Sequence, residues 1–248
     1  MEIIFLGTAG GLPSFYRSFP SIAISSKEGI ILLDCGEGTA RQFLKTGLNP
    51  ELVKAIFITH LHFDHVLGLP AFLLWKWVCH HEPTQIFIPR GNKPELEHII
   101  RTMPLTPKVN IHEIISPDEI SISGFNVIAI EVDHSIFALG YALTNGKRKV
   151  VYTGDTRPHN SIKQQGRNAD ILIHDSTFGD EEGELAKKTG HSTASEAGKV
   201  AAAADVEVLI LTHIHPRYDG REDVLIKQAS RTFNGKILVA KDFLRLKL

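Results

Sequence analysis

The chain has 248 residues, a length that suits one large domain or two small ones. It is 43% hydrophobic and 22% charged, as soluble globular proteins are, and its net charge of −1 excludes an overall positive field that would attract nucleic acid. Two cysteines exclude a disulfide framework and predict a reducing, cytoplasmic compartment. The N-terminal residues lack the basic and apolar regions of a signal peptide, which argues against secretion. No apolar run reaches about 18 residues, which argues against a membrane span.

Short apolar runs rich in β-branched residues recur along the chain, and many end at Gly, Asp or His, as strands that lead into loops do. Helical patterns lie between some of them. The predicted strands cover 2–7, 21–25, 29–36, 54–60, 84–89, 108–114, 125–132, 137–144, 149–155, 169–175, 206–213 and 236–240, and the predicted helices cover 37–46, 65–78, 94–102, 192–204 and 221–233.

The segment STASEAGKVAAAA, residues 192–204, is the clearest of the predicted helices. It begins with Ser and Thr, which cap helix N-termini, has Glu196 in its first turns and is rich in alanine. No linker rich in Pro, Gly or Ser, no repeat and no low-complexity tract divides the sequence. We therefore predict one domain over residues 1–248, of the α/β (α+β) class, with two mixed sheets packed face to face and helices outside.

Three histidines and an aspartate crowd the segment THLHFDH, residues 59–65. The four side chains follow the apolar run KAIFIT, so they would stand at the rigid end of a strand, where loops carry functional residues. A metal site and a polar turn that happens to be rich in histidine both fit this segment alone. The four candidate ligands are His60, His62, Asp64 and His65.

Three further candidate ligands end other apolar runs. His134 follows the predicted strand 125–132, Asp155 closes VVYTGD and His213 closes VLILTH. Seven ligands are too many for one ion, but they suit two ions that share a carboxylate. A set of imidazoles and carboxylates without cysteine predicts zinc, with manganese or iron as alternatives.

The motifs around these residues resemble those of the ribonuclease Z family of the metallo-β-lactamase superfamily, over nearly the whole chain. The resemblance implies the αββα sandwich of that superfamily and two zinc ions. It also implies an endonuclease that removes the 3′ trailer from precursor tRNA by means of a metal-activated hydroxide. The motifs are IFLGTAGGLPS (4–14), LLDCGEGTARQFL (32–44), ITHLHFDHVLGLPAFL (58–73), YTGDTRP (152–158), IHDSTF (173–178), GHSTASEAG (190–198) and LTHIHPRY (211–218).

The resemblance also divides the ligands between two ions. Positions in the motifs assign three ligands to each ion and one carboxylate to both. One ion would be held by His60, His62 and His134, the other by Asp64, His65 and His213, with Asp155 as the bridge.

The sequence departs from the family pattern in two places. Asp175 stands where the family's motif has a glutamate. Only twenty residues separate His134 from Asp155, a region in which much of the family carries a long protruding arm that grips tRNA. Twenty residues suffice for two strands and the turn TNGKRK, but not for an arm.

Asp64, His191 and Asp175 are the predicted catalytic residues. Asp64 would orient the nucleophile and take its proton. His191 lies outside the ligand set and just before a helix, and it would protonate the leaving oxygen. Asp175 would orient His191 and favour its charged form. The alternatives are a helix-flanking histidine without catalytic weight and an ordinary loop carboxylate.

Four residues are candidate substrate contacts. Ser192 and Thr193 open the predicted helix 192–204, where hydroxyl and backbone N–H groups bind phosphate, and a plain N-cap is the alternative. Arg217 and Tyr218 follow the last candidate ligand and are candidates for contacts to phosphate or base. The alternative is that they belong to an ordinary surface loop.

The segment GTAGGLPS lacks the GxGxxG spacing, which argues against a dinucleotide site and predicts a tight turn near the metals.

Three functions stay open at this point. The full set of motifs favours cleavage of precursor tRNA, and the missing arm favours a phosphodiesterase for small substrates such as a cyclic nucleotide or a bis-ester. A non-catalytic metal-binding module is the third, although a complete ligand set argues against it. By analogy with the family we expect a homodimer.

Overall fold

The computed structural model describes residues 1–80, 82–101 and 107–248 and forms two seven-stranded β-sheets. In order across the first sheet, the strands are β14 (Arg245–Lys247), β1 (Glu2–Gly7), β2 (Ser21–Ser25), β3 (Ile30–Leu33), β4 (Val53–Phe57), β5 (Thr84–Pro89) and β6 (Val109–Ile114). In order across the second, they are β13 (Lys236–Val239), β12 (Val208–Thr212), β11 (Ile171–Asp175), β10 (Lys149–Tyr152), β9 (Leu139–Thr144), β8 (Phe125–Glu131) and β7 (Glu119–Ile122).

Helices cover the outer faces of both sheets. None of the described helices is long and apolar enough to cross a membrane. They are α1 (Thr39–Lys45), α2 (Phe63–Val66), α3 (Leu69–His80), α4 (Lys93–Arg101), α5 (Asn160–Gln165), α6 (Gly183–Thr189), α7 (Ala194–Ala203) and α8 (Glu222–Ala229), with short 3₁₀ turns at Pro50–Leu52, Asp180–Glu182 and Pro216–Tyr218.

Each sheet changes from antiparallel to parallel pairing along the chain. In the first sheet β1 to β3 pair antiparallel and β3 to β6 parallel; in the second, β7 to β10 pair antiparallel and β10 to β13 parallel. Parallel neighbours need a crossover connection, which accounts for the helices in these parts. The strand ends that face the same edge are thereby free to carry loops with functional residues.

The core consists of three layers of buried apolar side chains. Ile3 and Phe5 of β1 point into the layer between the sheets, whereas Ile4 and Leu6 point outward beneath α1 and α3. A third layer packs the second sheet against α5, α7 and α8. Because both faces of the strands are buried, their sequences read as continuous apolar runs. This arrangement confirms the predicted αββα sandwich.

The predicted helix 192–204 is present as α7 and has the expected N-terminal cap. Thr193 is the N-cap residue, and its hydroxyl oxygen accepts a hydrogen bond from the Glu196 N–H. In return the Glu196 carboxylate accepts one from the Thr193 N–H at 2.9 Å. This reciprocal pair satisfies two N–H groups that a helix start leaves free.

The prediction of one helix over 65–78 was wrong, because the structure has two. α2 ends at Val66 and α3 begins at Leu69. Between them the Gly68 N–H donates to the Cys35 carbonyl at 2.9 Å, and a β-carbon on Gly68 would lie 1.9 Å from the Gly36 oxygen. Only glycine permits this approach of two backbone segments, which fixes α2 beside the end of β3.

Candidate metal centre

The crowded segment 59–65 lies where β4 ends and α2 begins. The chain leaves β4 at Phe57, passes through His60 and reaches His62, the residue that caps α2. Asp64 and His65 lie on α2 and are buried. The short helix therefore turns two ligands back toward the strand end.

The three later candidate ligands follow strands of the second sheet. His134 follows β8, Asp155 follows β10 and His213 follows β12. Two close backbone approaches hold the last two. A β-carbon on Gly154 would lie 2.7 Å from the Thr59 side chain, and one on Gly10 would lie 2.4 Å from the His213 oxygen. The edges of both sheets thus meet at one point.

One group of ligand atoms gathers His60, His62, His134 and Asp155, with all atoms within 4.8 Å of one another. The His62 Nδ1 lies 3.0 Å from His60 Nε2 and 3.1 Å from His134 Nε2. The Asp155 Oδ2 lies 3.7 Å from His60 Nε2. A zinc ion about 2.0–2.1 Å from each nitrogen fits such spacings.

A second group gathers Asp64, His65 and His213. The Asp64 Oδ2 lies 3.6 Å from His65 Nε2 and 3.3 Å from His213 Nε2. Burial raises the pKa of Asp64, but the charges of His65 and His213 outweigh it and hold the pKa at about 2. This carboxyl group is therefore ionised at neutral pH.

Asp155, a member of the first group, also lies close to the second. Its Oδ1 is 3.3 Å from His65 Nε2, and its Oδ2 is 3.3 Å from His213 Nε2. Both His65 Nε2 and Asp155 Oδ1 are buried without a hydrogen-bond partner, a state that costs about 1–3 kcal/mol per group. These atoms form a binding site for divalent metal ions, because a cation satisfies both at once.

The outward-facing Nδ1 atoms of four ligand histidines have hydrogen-bond partners. His134 Nδ1 donates to the Gly190 carbonyl and His65 Nδ1 to the Asp34 carboxylate, both at 2.8 Å. The Nδ1 atoms of His60 and His213 contact the Thr59 and Thr177 hydroxyls at 2.9 and 2.8 Å. Such partners fix the ring orientation and leave the Nε2 atoms available to a metal ion.

Asp34 is a residue of the site to which sequence reasoning gave no role. It follows β3 in the motif LLDCGEG, is fully buried and adopts a left-handed backbone with φ of 60°. Besides His65, its carboxylate accepts hydrogen bonds from the Thr59 N–H and the Tyr152 hydroxyl, both at 2.8 Å. An aspartate at a strand end was the only available signal, since its partners are distant in sequence.

His191 and Asp175 lie beside the ligands. His191 Nδ1 donates to Asp175 Oδ2 at 2.8 Å, so the shorter carboxylate still reaches the histidine. Asp175 is itself held by the N–H groups of Thr156 and Thr177, at 2.9 and 3.0 Å. Burial lowers the pKa of His191, but the Asp175 and Asp155 carboxylates outweigh burial and raise it to about 9. The ring is therefore protonated at neutral pH.

The four candidate substrate contacts have structural partners. The Ser192 hydroxyl is buried and donates to the Thr156 carbonyl at 2.7 Å, and Thr193 is occupied in the α7 cap. The buried Tyr218 hydroxyl accepts from the Gly179 N–H at 2.8 Å and donates to Glu182 at 2.6 Å. Arg217 is exposed and pairs with Glu182. Of the four, the Arg217 side chain is the most open to a ligand.

The glycine-rich loop after β1 borders the site, as predicted. The Gly11 N–H donates to Asp64 Oδ2 at 3.2 Å, and Ala9 bridges to Ile214 in parallel pairing. The loop therefore lies against two segments that carry candidate ligands.

The sequence matches a known family over most of its length. Residues 30–214 match the beta-lactamase superfamily domain. The chain is 32% identical to ribonuclease Z of Natronomonas pharaonis, over 98% of this chain and 96% of that protein. It belongs to the ribonuclease Z family. It is also 34% identical to ribonuclease Z of Methanothermobacter thermautotrophicus, over 94% of this chain and 92% of the relative.

Solved structures agree with this family. The short form of human tRNase Z superposes with a TM-score of 0.83 and 27% identity, over all of this chain and 99% of the other. YhfI of Bacillus subtilis, a metallo-beta-lactamase fold protein, gives a TM-score of 0.88 at 22% identity over 99% and 98% of the chains, which shows the fold alone.

The alignment with the N. pharaonis protein extends over 296 positions, whereas this chain has 248 residues. That relative therefore has segments that this chain lacks. Between His134 and Asp155 the structure has β9, β10 and the turn that joins them. The prediction of two strands and a turn in this region is confirmed.

Replacing Asp34 with asparagine tests whether its hydrogen bond to His65 supports metal binding. We expect Asp34→Asn to weaken zinc binding about 10- to 100-fold, because the His65 ring loses its charged partner. Competition with a chromogenic chelator measures the affinity, and circular dichroism checks the fold. Asp223→Asn on the exposed surface of α8 is the matched control. Equal zinc affinity of wild type and Asp34→Asn would contradict the role of Asp34 in the metal centre.

Proposed function

We propose that this chain is a two-zinc phosphodiesterase that removes the 3′ trailer from precursor tRNA. One observation supports the proposal: the seven candidate ligands lie in overlapping groups linked by Asp155 and His213, and one of these groups also contains the hydrogen-bonded pair of His191 and Asp175. Membership of the ribonuclease Z family supports tRNA as the substrate. Manganese or iron in place of zinc is the alternative for the metal.

The proposed ligands are divided as the two groups are. His60, His62 and His134 would hold one ion, Asp64, His65 and His213 the other, and Asp155 both. When bound, two dications lower the pKa of water and offset the negative charge that builds up on a phosphodiester.

The protein's own residues would orient the attacking water and transfer protons from that water and to the leaving oxygen. Asp64 is fixed by the Gly11 N–H and is ionised, so it can orient the attacking water and accept its proton. Attack on phosphorus breaks the bond to the 3′ oxygen of the tRNA, which leaves as a hydroxyl once it gains a proton. His191, held by Asp175, is charged at neutral pH and is the proposed donor of that proton.

A phosphodiesterase for small substrates is the second candidate function. The observation that favours it is the short connection from His134 to Asp155, where β9, β10 and a turn leave no long arm to grip tRNA. The two functions share the catalytic centre and differ in the size of the ester.

Cleavage assays on two substrates distinguish these functions. The zinc-loaded protein is incubated with a precursor tRNA that carries a 3′ trailer and, separately, with bis-p-nitrophenyl phosphate. We expect both to be cleaved, and His60→Ala to abolish both activities because one ion loses a ligand. Cleavage of the small ester alone would contradict tRNA as the substrate. Cleavage of neither by zinc-loaded wild type would favour a non-catalytic module.

His191→Ala tests the proton donor. We expect the rate on precursor tRNA to fall about 10²- to 10⁴-fold, the usual worth of general acid catalysis, because its leaving alkoxide is a strong base. A p-nitrophenolate leaves without a proton, so the rate on the small ester should fall much less. Equal losses on both substrates, in a variant that keeps wild-type zinc content, would argue against the acid role.

We further propose that the chain acts as a single metallo-β-lactamase-type domain in a cytoplasmic homodimer. The shared inner core supports one domain, and the free cysteines, Cys35 and Cys79, support a reducing compartment. Leu44 on α1 and Val78 on α3 are exposed on two helices that contact each other, which suits a dimer face.

Sedimentation velocity should report a dimer, and a purely monomeric protein at micromolar concentration would contradict the proposed homodimer.

A further inference from the structure

Most of the exposed aromatic side chains in the described residues stand close to candidate metal ligands or to the glycine-rich loop in the sequence. Five are exposed in the parts of the chain that the structure describes, and four of these stand on segments that adjoin ligands. The fifth, Phe243, lies near the C-terminus. We call the four the aromatic rim, and they are Phe15, Tyr16, Phe63 and Phe137.

Two residues of the aromatic rim lie close to candidate ligands in the sequence. Phe63 stands between His62 and Asp64, and Phe137 follows His134 by three residues. Each side chain is about half exposed. Three residues span at most about 11 Å, so Phe137 lies close to the first ligand group.

The other two, Phe15 and Tyr16, stand on the glycine-rich loop. Phe15 has 102% and Tyr16 76% of its surface exposed. The loop is held before them by the hydrogen bond from the Gly11 N–H to Asp64, and four residues span at most about 14 Å. The backbone of Phe15 therefore lies within about 14 Å of the Gly11 N–H that bonds to Asp64.

The loop is also held by residues directly beside these two rings. The Arg17 side chain is buried and pairs with Asp219 and Glu222, both at 2.8 Å. The Ser14 hydroxyl donates to the other Asp219 oxygen at 2.5 Å. Buried anchors on both sides present the two rings to solvent on a fixed base, which is the arrangement of a binding platform rather than of a loose loop.

We propose that the aromatic rim stacks unpaired bases of the RNA next to the scissile bond. The proposal rests on the proposed function, since it places a single strand in the metal centre. Every base has a flat π-face, so stacking on aromatic side chains tolerates any trailer sequence. The chain has a net charge of −1, so an overall positive field does not hold the RNA.

A second copy of this chain fits the aromatic rim less well than bases do. Polar residues stand among the rings, with Ser14 before Phe15 and the exposed Ser135 close to Phe137, and the exposed Leu12 and Ile136 add only isolated aliphatic surface. Protein interfaces of copies favour a continuous apolar centre. Separate rings on three segments instead offer separate platforms for separate bases.

The test compares trailers with and without bases. The double variant Phe15→Ala/Tyr16→Ala, the ring-keeping variant Phe15→Trp/Tyr16→Phe and the distant surface control Leu52→Ala are assayed as zinc-loaded full chains. One precursor tRNA has a normal trailer, and another has abasic nucleotides beside the cleavage site. Rates on bis-p-nitrophenyl phosphate normalise each variant for the state of its metal centre.

We expect the double alanine variant to lower kcat/KM on the normal trailer at least about fivefold, mainly through KM, because stacking contributes about 1–3 kcal/mol per base. On the abasic trailer it should match wild type. The ring-keeping and Leu52→Ala variants should behave as wild type on both. Equal losses on both trailers would overturn the proposal. A change from dimer to monomer in sedimentation without dependence on bases would assign the rings to a second copy instead.

Binding separates failure of this proposal from failure of the proposed function. Fluorescence anisotropy of a labelled single-stranded oligoribonucleotide is measured with the same variants. If wild type cleaves no precursor tRNA, the proposed function fails. The aromatic rim is then supported by binding that weakens in the double alanine variant and on abasic oligonucleotides, and it is overturned by equal binding of all variants.

Discussion

The site depends on the burial of one carboxylate, Asp155, between imidazoles from both sheets. Burying an ionised group without compensation costs several kcal/mol, and one oxygen of Asp155 is buried without a well-aligned hydrogen bond. His65 Nε2, 3.3 Å away, is orphaned in the same way. The ends of several strands hold these atoms close together. Since a bound cation would satisfy both, we expect metal binding to stabilise the fold through Asp155.

This burial is supported by contacts that also join the two sheets. Asp34 follows β3 of the first sheet, and it accepts a hydrogen bond from Tyr152 of β10 in the second. The same carboxylate orients His65. A change in the packing of the sheets would therefore move a metal ligand. The inner core and the metal centre are two parts of one arrangement, which is why a sandwich of this kind holds its site at the edge where the sheets meet.

Sequence patterns predict the strands and identify the candidate ligands more readily than the groups that surround those residues. His134, Asp155 and His213 are visible because each ends an apolar run. The bond between Asp34 and Tyr152 joins residues 118 apart, which no local pattern reveals. The break at Gly68 depends on contact with Gly36, and α6 escaped prediction because only Ala186 of its seven residues is buried. Elements set by tertiary contact or with little apolar surface lie outside what periodicity can show.

Exposure of the ligands determines how a substrate reaches the centre. His60, His65 and Asp155 are buried, whereas His62, His134 and His191 are partly open. A phosphodiester must therefore enter from the side of His62 and His134, the side on which Phe63 and Phe137 stand. A chain with only β9, β10 and a turn between His134 and Asp155 has no long arm there to grip RNA. Under the proposed function, the discrimination between an RNA strand and a small ester then falls to the residues at this entrance.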